Sequence, residues 1–340
     1  MNKLKKNIMK EYQGKQILIT GGTGSIGFGL LEQLIQCKPK SIRVFTNDEN
    51  SIFEIKKMIK PNKIITYLMG DIRDQGRLKL ALRNIDIVFH AAAMKHLDIC
   101  EQNPFDAVKS NVLGTSNILE ASLMEDISKF VLISTDKATN PSSTLGASKL
   151  LAERLTLNAG AYKGKGKTIF SVVRFGNVIG SRGSVFQIFL DQINQGLPVT
   201  VTDSRMTRFI MSIPQASRLI LNVAKIANDG EIFILKMPSV KIQDIAKEMI
   251  KICQSSTNKN SKKSFMEILS SKKYERFHET LVTSEELPYC HELDTMYKIS
   301  KKESKKKISL KQINSETAKK ISINDLDKII KNLMENNSRI

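Results

Sequence analysis

The chain has 340 residues, with 53 Lys+Arg against 34 Asp+Glu and a formal net charge of +19. At roughly 150 residues per domain this length gives one large domain or two smaller ones, and a 41% hydrophobic fraction excludes a disordered chain. No window approaches the ~18 apolar residues of a membrane helix, the basic N-terminus lacks the apolar stretch of a signal peptide, and Cys37, Cys100, Cys253 and Cys290 form no CxxC pair, which argues for a soluble, cytoplasmic protein without disulfides or zinc knuckles.

Residues 16–20 (QILIT) predict a first strand, followed by a glycine turn and a helix to Cys37. Strand then follows at 41–45, helix at 52–60 before Pro61, strand at 63–69, helix at 75–83 and strand at 86–90. A longer helix is expected over 105–124, strand at 129–134, helix at 145–162 and strand at 168–174. Buried, β-branched-rich strands separated by helices predict an α/β fold with a doubly wound parallel sheet. Beyond Arg174 the rhythm changes. Glycine-dense 176–183 leads into a helix near 185–195, then a short strand at 198–201, a helix at 214–227, a strand at 231–235 and a helix at 241–253. Residues 254–263 read as a loop, and the last forty as a lysine-rich helical appendage. This organisation divides the chain into 14–174, mainly dinucleotide-binding; 175–295, mainly substrate-binding; and 296–340, the appendage.

The positive charge concentrates in the first ten residues and the C-terminal third, in runs such as Lys301-Lys302-Glu303-Ser304-Lys305-Lys306-Lys307. Trp is absent and no aromatic residues interleave those lysines, as a base-stacking platform would require. A solvated surface is the expectation, with no nucleic-acid partner and no membrane insertion.

Thr20-Gly21-Gly22-Thr23-Gly24-Ser25-Ile26-Gly27 sets glycines at a G-x-x-G-x-x-G spacing between a strand and a helix. Glycines there permit close backbone approach, and the helix N-terminus offers free N–H groups to a diphosphate. The spacing is a variant of the usual dinucleotide fingerprint. NAD enzymes carry an acid near the end of the second strand for the ribose 2′-hydroxyl. Here that end reads Phe45-Thr46-Asn47-Asp48-Glu49: Thr46 and Asn47 are neutral, the acids come late, and no arginine sits at the turn. NAD and NADP both stay open.

The same turn matches that of extended short-chain dehydrogenases. Further motifs narrow the match: Ala91-Ala92-Ala93-Met94-Lys95-His96, the segment 103–115 (NPFDAVKSNVLGT), Ser134-Thr135-Asp136-Lys137-Ala138, Arg174-Phe175-Gly176-Asn177-Val178, Gly180-Ser181-Arg182-Gly183-Ser184-Val185 and Met206-Thr207-Arg208-Phe209. In that order, over about residues 14–290, the chain resembles the UDP-N-acetylglucosamine 4,6-dehydratases that invert C5 in surface-glycan biosynthesis. The resemblance implies a Rossmann fold of the extended short-chain dehydrogenase type and a homo-oligomer, dimer or hexamer, formed through the helices of 105–124 and 145–162. It also implies a tightly bound NADP, with NAD as the alternative, regenerated in each cycle. A UDP-sugar is the implied substrate, and the four histidines suggest no metal.

By the same resemblance Asp136 protonates the leaving C6 hydroxyl and Lys137 handles the C5 proton; seen alone, the two would read as a surface pair at a strand end. Lys149 would contact the nicotinamide ribose, Asp71 and Ile72 the adenine, and Ala91, Ala92, Ala93 and Asn111 the rest of the cofactor. Lys95, Asn177, Arg182, Val185, Arg208, His278 and Glu279 would face the nucleotide sugar. Two departures stand out. The tyrosine of the usual Tyr-x-x-x-Lys is Leu145, which transfers no proton, so Thr135 is assigned to the C4 hydroxyl. The R-P-G-E-x-x-H-E segment keeps Glu275, His278 and Glu279 but has Lys272 for its arginine, losing the bidentate fork. A nucleotide-sugar epimerase and a non-catalytic dinucleotide-fold binding protein are the alternatives.

Overall fold

The computed structural model describes residues 9–256, 265–270, 274–305, 308–309 and 311–337. Seven parallel strands form its spine: β1 (Gln16–Thr20), β2 (Ser41–Thr46), β3 (Ile65–Met69), β4 (Ile87–His90), β5 (Lys129–Thr135), β6 (Ile169–Phe175) and β10 (Glu231–Leu235). They run in the order β3-β2-β1-β4-β5-β6-β10. The order reverses between β1 and β4, and that switch point, at the carboxyl ends of the strands, is where doubly wound sheets bind ligands. Their near-continuous apolar runs follow from helices covering both faces.

Helices α1 (Ser25–Ile35), α2 (Glu49–Met58), α3 (Gln75–Leu82), α4 (Leu97–Gln102) and α5 (Pro104–Ala107) precede a π-helical turn at Val108–Leu113, which runs into α6 (Gly114–Met124). The expected single helix over 105–124 is therefore interrupted. Asn111, buried in the π turn, puts its amide against the backbone of Met94, a local arrangement that helical periodicity does not announce. Next come α7 (Thr144–Asn158), α8 (Val185–Asn194), α9 (Ile213–Ile226) and α10 (Ile242–Ser256), and α11 (Ile323–Asn337) closes the chain. Residues 254–256 finish α10 rather than starting a loop, and 257–263 lie outside the described residues.

A second, smaller core gathers Phe186 and Phe189 of α8, Val199 and Val201 of β8 (Val199–Val201), and Ile245, Ala246 and Met249 of α10. Around it run three short strands that the sequence reading lacks: β7 (Asn177–Ile179), β9 (Thr207–Ser212) and β11 (Ser239–Lys241), which form one sheet in the order β11-β9-β7. Residues 296–337 enter both cores instead of hanging from them. β15 (Met296–Ile299) pairs antiparallel with β10 of the central sheet, and Leu326 and Ile330 of α11 are buried in the smaller core. The lysines of this stretch mask its few apolar anchors. Among the described residues no helix is long and apolar enough to cross a membrane.

Candidate active site

A cleft of about 690 Å³ runs along the switch point, lined by the glycine turn, the ends of β2, β4 and β5, α7, and residues 175–184. The turn fits a dinucleotide diphosphate. Gly21 has φ +62°, and a Cβ there would sit 2.7 Å from the Ala92 nitrogen; one at Gly27 would sit 2.4 Å from the Gly21 carbonyl oxygen. Gly24 caps α1 without a side-chain hydrogen bond, which leaves the first-turn N–H groups to an anion. Gly21, Thr23, Gly24, Ser25, Ile26 and Gly27 all line the cleft, as do Thr46, Asn47, Asp71, Ile72, Ala91, Ala92, Ala93 and Lys149.

Two residues expected at the cofactor lie behind the wall. Thr20 is fully buried and its hydroxyl hydrogen-bonds His90 Nδ1 at 2.6 Å. Asn111 Oδ1 accepts from the Met94 N–H at 2.8 Å, and its Nδ2 donates to Ser148 Oγ at 3.0 Å. Both shape the cleft through its supports. His90, absent from the sequence reading, also meets Thr115 Oγ1 at 3.1 Å; burial, then the nearby Lys149, pulls its pKa down to about 3, so it bridges as a neutral ring.

At the carboxyl end of β5, Thr135 caps a 3₁₀ turn over Asp136–Ala138. Asp136 is fully buried. Its Oδ1 accepts from Thr135 Oγ1 at 3.0 Å and Lys137 Nζ at 3.0 Å, while Oδ2 has no partner. A Cβ at Gly176 would stand 3.2 Å from that Oδ2, so the glycine leaves room for the carboxyl. Burial raises the Asp136 pKa against the pull of Lys137. Lys137 Nζ also lies 3.3 Å from Glu279 Oε1. Burial lowers the Lys137 pKa, but the two carboxylates overcome it and the net shift is upward. Burial likewise opposes ionisation of Glu279, yet Lys137 and Arg208 hold its pKa below the usual range.

Thr135 and Lys137 line the cleft, and Asp136 and Glu279 stand immediately behind. Leu145 lines it too, packed with Cys100, Ala107, Met94 and Leu97 into an apolar floor. Lys149 donates to the Ile133 carbonyl at 2.7 Å, and burial brings its pKa down to about 8. Lys95 and Asn177 border the cleft. Arg208, with Lys137, Arg276 and Glu279, borders a small neighbouring recess; its guanidinium donates to the carbonyls of Thr207, Phe277 and Arg276. Val185 lines a second recess with Asn177 and Arg208. His278 faces none of these and hydrogen-bonds Thr207 Oγ1 at 2.8 Å. Lys272 lies outside the described residues. Arg182, expected at the sugar diphosphate, instead reaches Ser51 Oγ at 2.9 Å, at the start of α2.

The family model described as polysaccharide biosynthesis protein matches residues 17–301. A Methanocaldococcus jannaschii protein named as an uncharacterized membrane protein is 47% identical over 86% of this chain and 87% of its own length. The inverting UDP-N-acetylglucosamine 4,6-dehydratase of Campylobacter jejuni is 38% identical over 85% of this chain and 84% of its own. Other relatives bear the name UDP-glucose 4-epimerase, one from Rickettsia bellii at 33% identity over 94% of this chain and 96% of its own. The X-ray structure of Pen from Bacillus thuringiensis superposes with a TM-score of 0.89 at 40% identity, covering 94% of this chain and 98% of that one. The chain belongs to the polysaccharide biosynthesis protein family, among its nucleotide-sugar dehydratases and epimerases.

Proposed function

We propose that the chain is an NADP-dependent 4,6-dehydratase that converts UDP-N-acetylglucosamine, with inversion at C5, to a UDP-4-keto-6-deoxy-L-hexose for surface glycans. The observation that carries this reading is the buried Asp136–Lys137–Glu279 cluster at the head of β5. An epimerase working through C4 alone has no use for a second acid–base pair beside the sugar.

The glycine turn would hold the diphosphate of a nicotinamide dinucleotide and Lys149 its nicotinamide ribose, and the bound cofactor would supply the acceptor for the C4 hydride and the donor for C6. Thr135 orients the C4 hydroxyl from the cleft wall, in place of the missing tyrosine, and its Oγ1, which donates to Asp136 Oδ1 at 3.0 Å, relays the C4 proton to that carboxylate. Asp136, once protonated, no longer holds the Lys137 proton with its charge, and Lys137, a cation at rest, releases that proton to water in the cleft. These transfers leave Asp136 protonated and Lys137 neutral. Lys137 then takes the C5 proton made acidic by the C4 ketone, and Asp136 gives its proton to the C6 hydroxyl, which departs as water. A proton reaching C5 from the opposite face completes the inversion. Glu279 keeps its charge beside Lys137 and steadies the cation as it re-forms.

The test is incubation with UDP-N-acetylglucosamine in deuterated water, read by mass spectrometry and proton NMR. Loss of one water with deuterium at C5 and an L-configured product supports the reading. Unchanged mass with a new sugar configuration establishes the epimerase alternative. No turnover with this or any other UDP-hexose, even with NAD and NADP supplied, makes Leu145 the mark of a binding protein.

Phe105, Leu113, Met124, Leu151 and Tyr162, on the π turn and the helices flanking it and on α7 and the 3₁₀ turn after it, expose large apolar side chains. These support a homo-oligomer formed through this face; a monomeric mass by light scattering would overturn it.

A further inference from the structure

The carboxylates near the end of β2 are already engaged. Asp48 caps α2, accepting from the Ser51 N–H at 3.0 Å and from the Ser51 hydroxyl. Asp71 accepts from Arg73 Nε at 3.0 Å and Nη2 at 2.7 Å, and from Asn47 Nδ2 at 3.4 Å. Neither is free to take a ribose 2′-hydroxyl in the manner of an NAD enzyme. Beside these two carboxylates the cleft is lined there by hydroxyls and an amide, those of Thr23, Thr46, Ser51 and Asn47.

A cation arrives at the same place from 131 residues away. Residues 180–184 cross the cleft as a strap, turned at each end by a glycine of positive φ, Gly180 at +76° and Gly183 at +64°. The Arg182 N–H donates to Ser25 Oγ at 3.0 Å, beside the glycine turn. Its carbonyl accepts from Lys95 Nζ at 2.5 Å on the far wall. Its guanidinium Nη1 donates to Ser51 Oγ at 2.9 Å, at the start of α2 and close enough to the Asp48 carboxyl to help lower its pKa.

We infer that Arg182 is the residue that reads the 2′-phosphate of the cofactor, so that a loop from the substrate-binding part of the chain sets the preference for NADP over NAD. The inference rests on the dinucleotide reading of the cleft. A planar guanidinium matches a phosphate with two parallel donors, and the Thr46 hydroxyl and the Asn47 amide supply neutral donors around it. No other arginine or lysine lines the cleft at this end among the described residues. The strap then does two things at once: it closes over the cofactor and selects it.

The experiment is calorimetric titration of the full-length, cofactor-stripped protein with NADP and NAD, and with adenosine 2′,5′-bisphosphate and AMP, which carry no nicotinamide. The wild type is expected to bind the 2′-phosphorylated member of each pair roughly 10- to 100-fold more tightly, the range of one or two charge-assisted hydrogen bonds. Arg182→Gln should bring both ratios close to one while leaving NAD and AMP within about two-fold, and Arg182→Lys should fall between. Equal binding by the wild type overturns the inference. So does a preference that survives Arg182→Gln, and so does a variant that loses both cofactors in equal measure, which would make Arg182 a strap residue alone. Binding of none of the four compounds would overturn the dinucleotide reading and the inference together.

Discussion

Asp136 holds one carboxylate oxygen against two donors and the other against nothing, in a site closed to solvent. An ionised carboxyl kept there costs the fold stability, and a raised pKa is the measure of that cost. The pH dependence follows. A carboxyl whose pKa rises on folding stabilises fully below its unfolded value near 3.8 and loses that contribution as pH climbs through the folded value. Asp136→Asn removes the loss, so the variant should melt above wild type at pH 8, and the difference should vanish as pH approaches 3.8. Its kcat should drop by about 10²- to 10⁴-fold, the usual share of a positioned acid. Thermal melts across pH together with turnover assays measure both. A variant that melts lower than wild type at pH 8 would show that the Lys137 contact outweighs desolvation.

At the level of elements, the pair depends on β6 and on β13 (Thr280–Val282). Arg174, at the end of β6, is buried and donates to Glu153 through Nε at 3.1 Å and Nη2 at 2.7 Å. It also donates to Glu286 at 2.9 Å through both terminal nitrogens, and to the Leu281 carbonyl at 2.8 Å. Those five bonds use all five donors of the guanidinium and pin β13, which follows directly on Glu279. Lysine would keep the charge and lose the fork. Arg174→Lys should cost about 3 kcal/mol, as partial loss of a buried ion-pair network does, and should slow turnover by displacing Glu279. Denaturant unfolding and kcat check the two effects, and an unfolding midpoint equal to wild type would remove Arg174 from this role. The sequence exposes Arg174 and Glu279 only as motif members, since what links them is the bond from Arg174 to Leu281, across 107 residues of chain. Asp136 and Lys137 were readable because neighbours in sequence at a strand end remain neighbours in space. Thr20 and Asn111 sit in motifs that line the cleft, yet their side chains turn inward; facing direction is set by His90 and the π turn, which no spacing rule reveals.

Across the whole molecule, the parallel sheet was legible because its inner strands β1, β4, β5 and β6 are buried on both faces and read as near-continuous apolar runs, while β3 at the edge is only partly buried. The smaller core was not, because β7 and β11 have three residues each and β9 takes both of them as partners from distant parts of the chain. The C-terminal stretch was least legible: its lysines dominate the composition, while Leu326 and Ile330 do the packing. This arrangement ties the last helix to the strap of residues 180–184. Leu333 of α11 lies where a Cβ on Gly180 would fall, at 2.6 Å, so α11 supports the turn from which the strap departs. Leu326→Ala should therefore destabilise by about 3 kcal/mol, within the range for a buried leucine truncated to alanine, whereas Lys328→Ala on the exposed face should stay within about 0.5 kcal/mol of wild type. The leucine variant should also increase amide exchange at residues 180–184 ahead of β1, β4 and β5, because a lobe that loses its last helix opens before the sheet does. Hydrogen exchange followed by mass spectrometry separates the outcomes. Equal protection of strap and sheet in Leu326→Ala would mean that the two cores unfold as one, and that α11 lends the strap no local support.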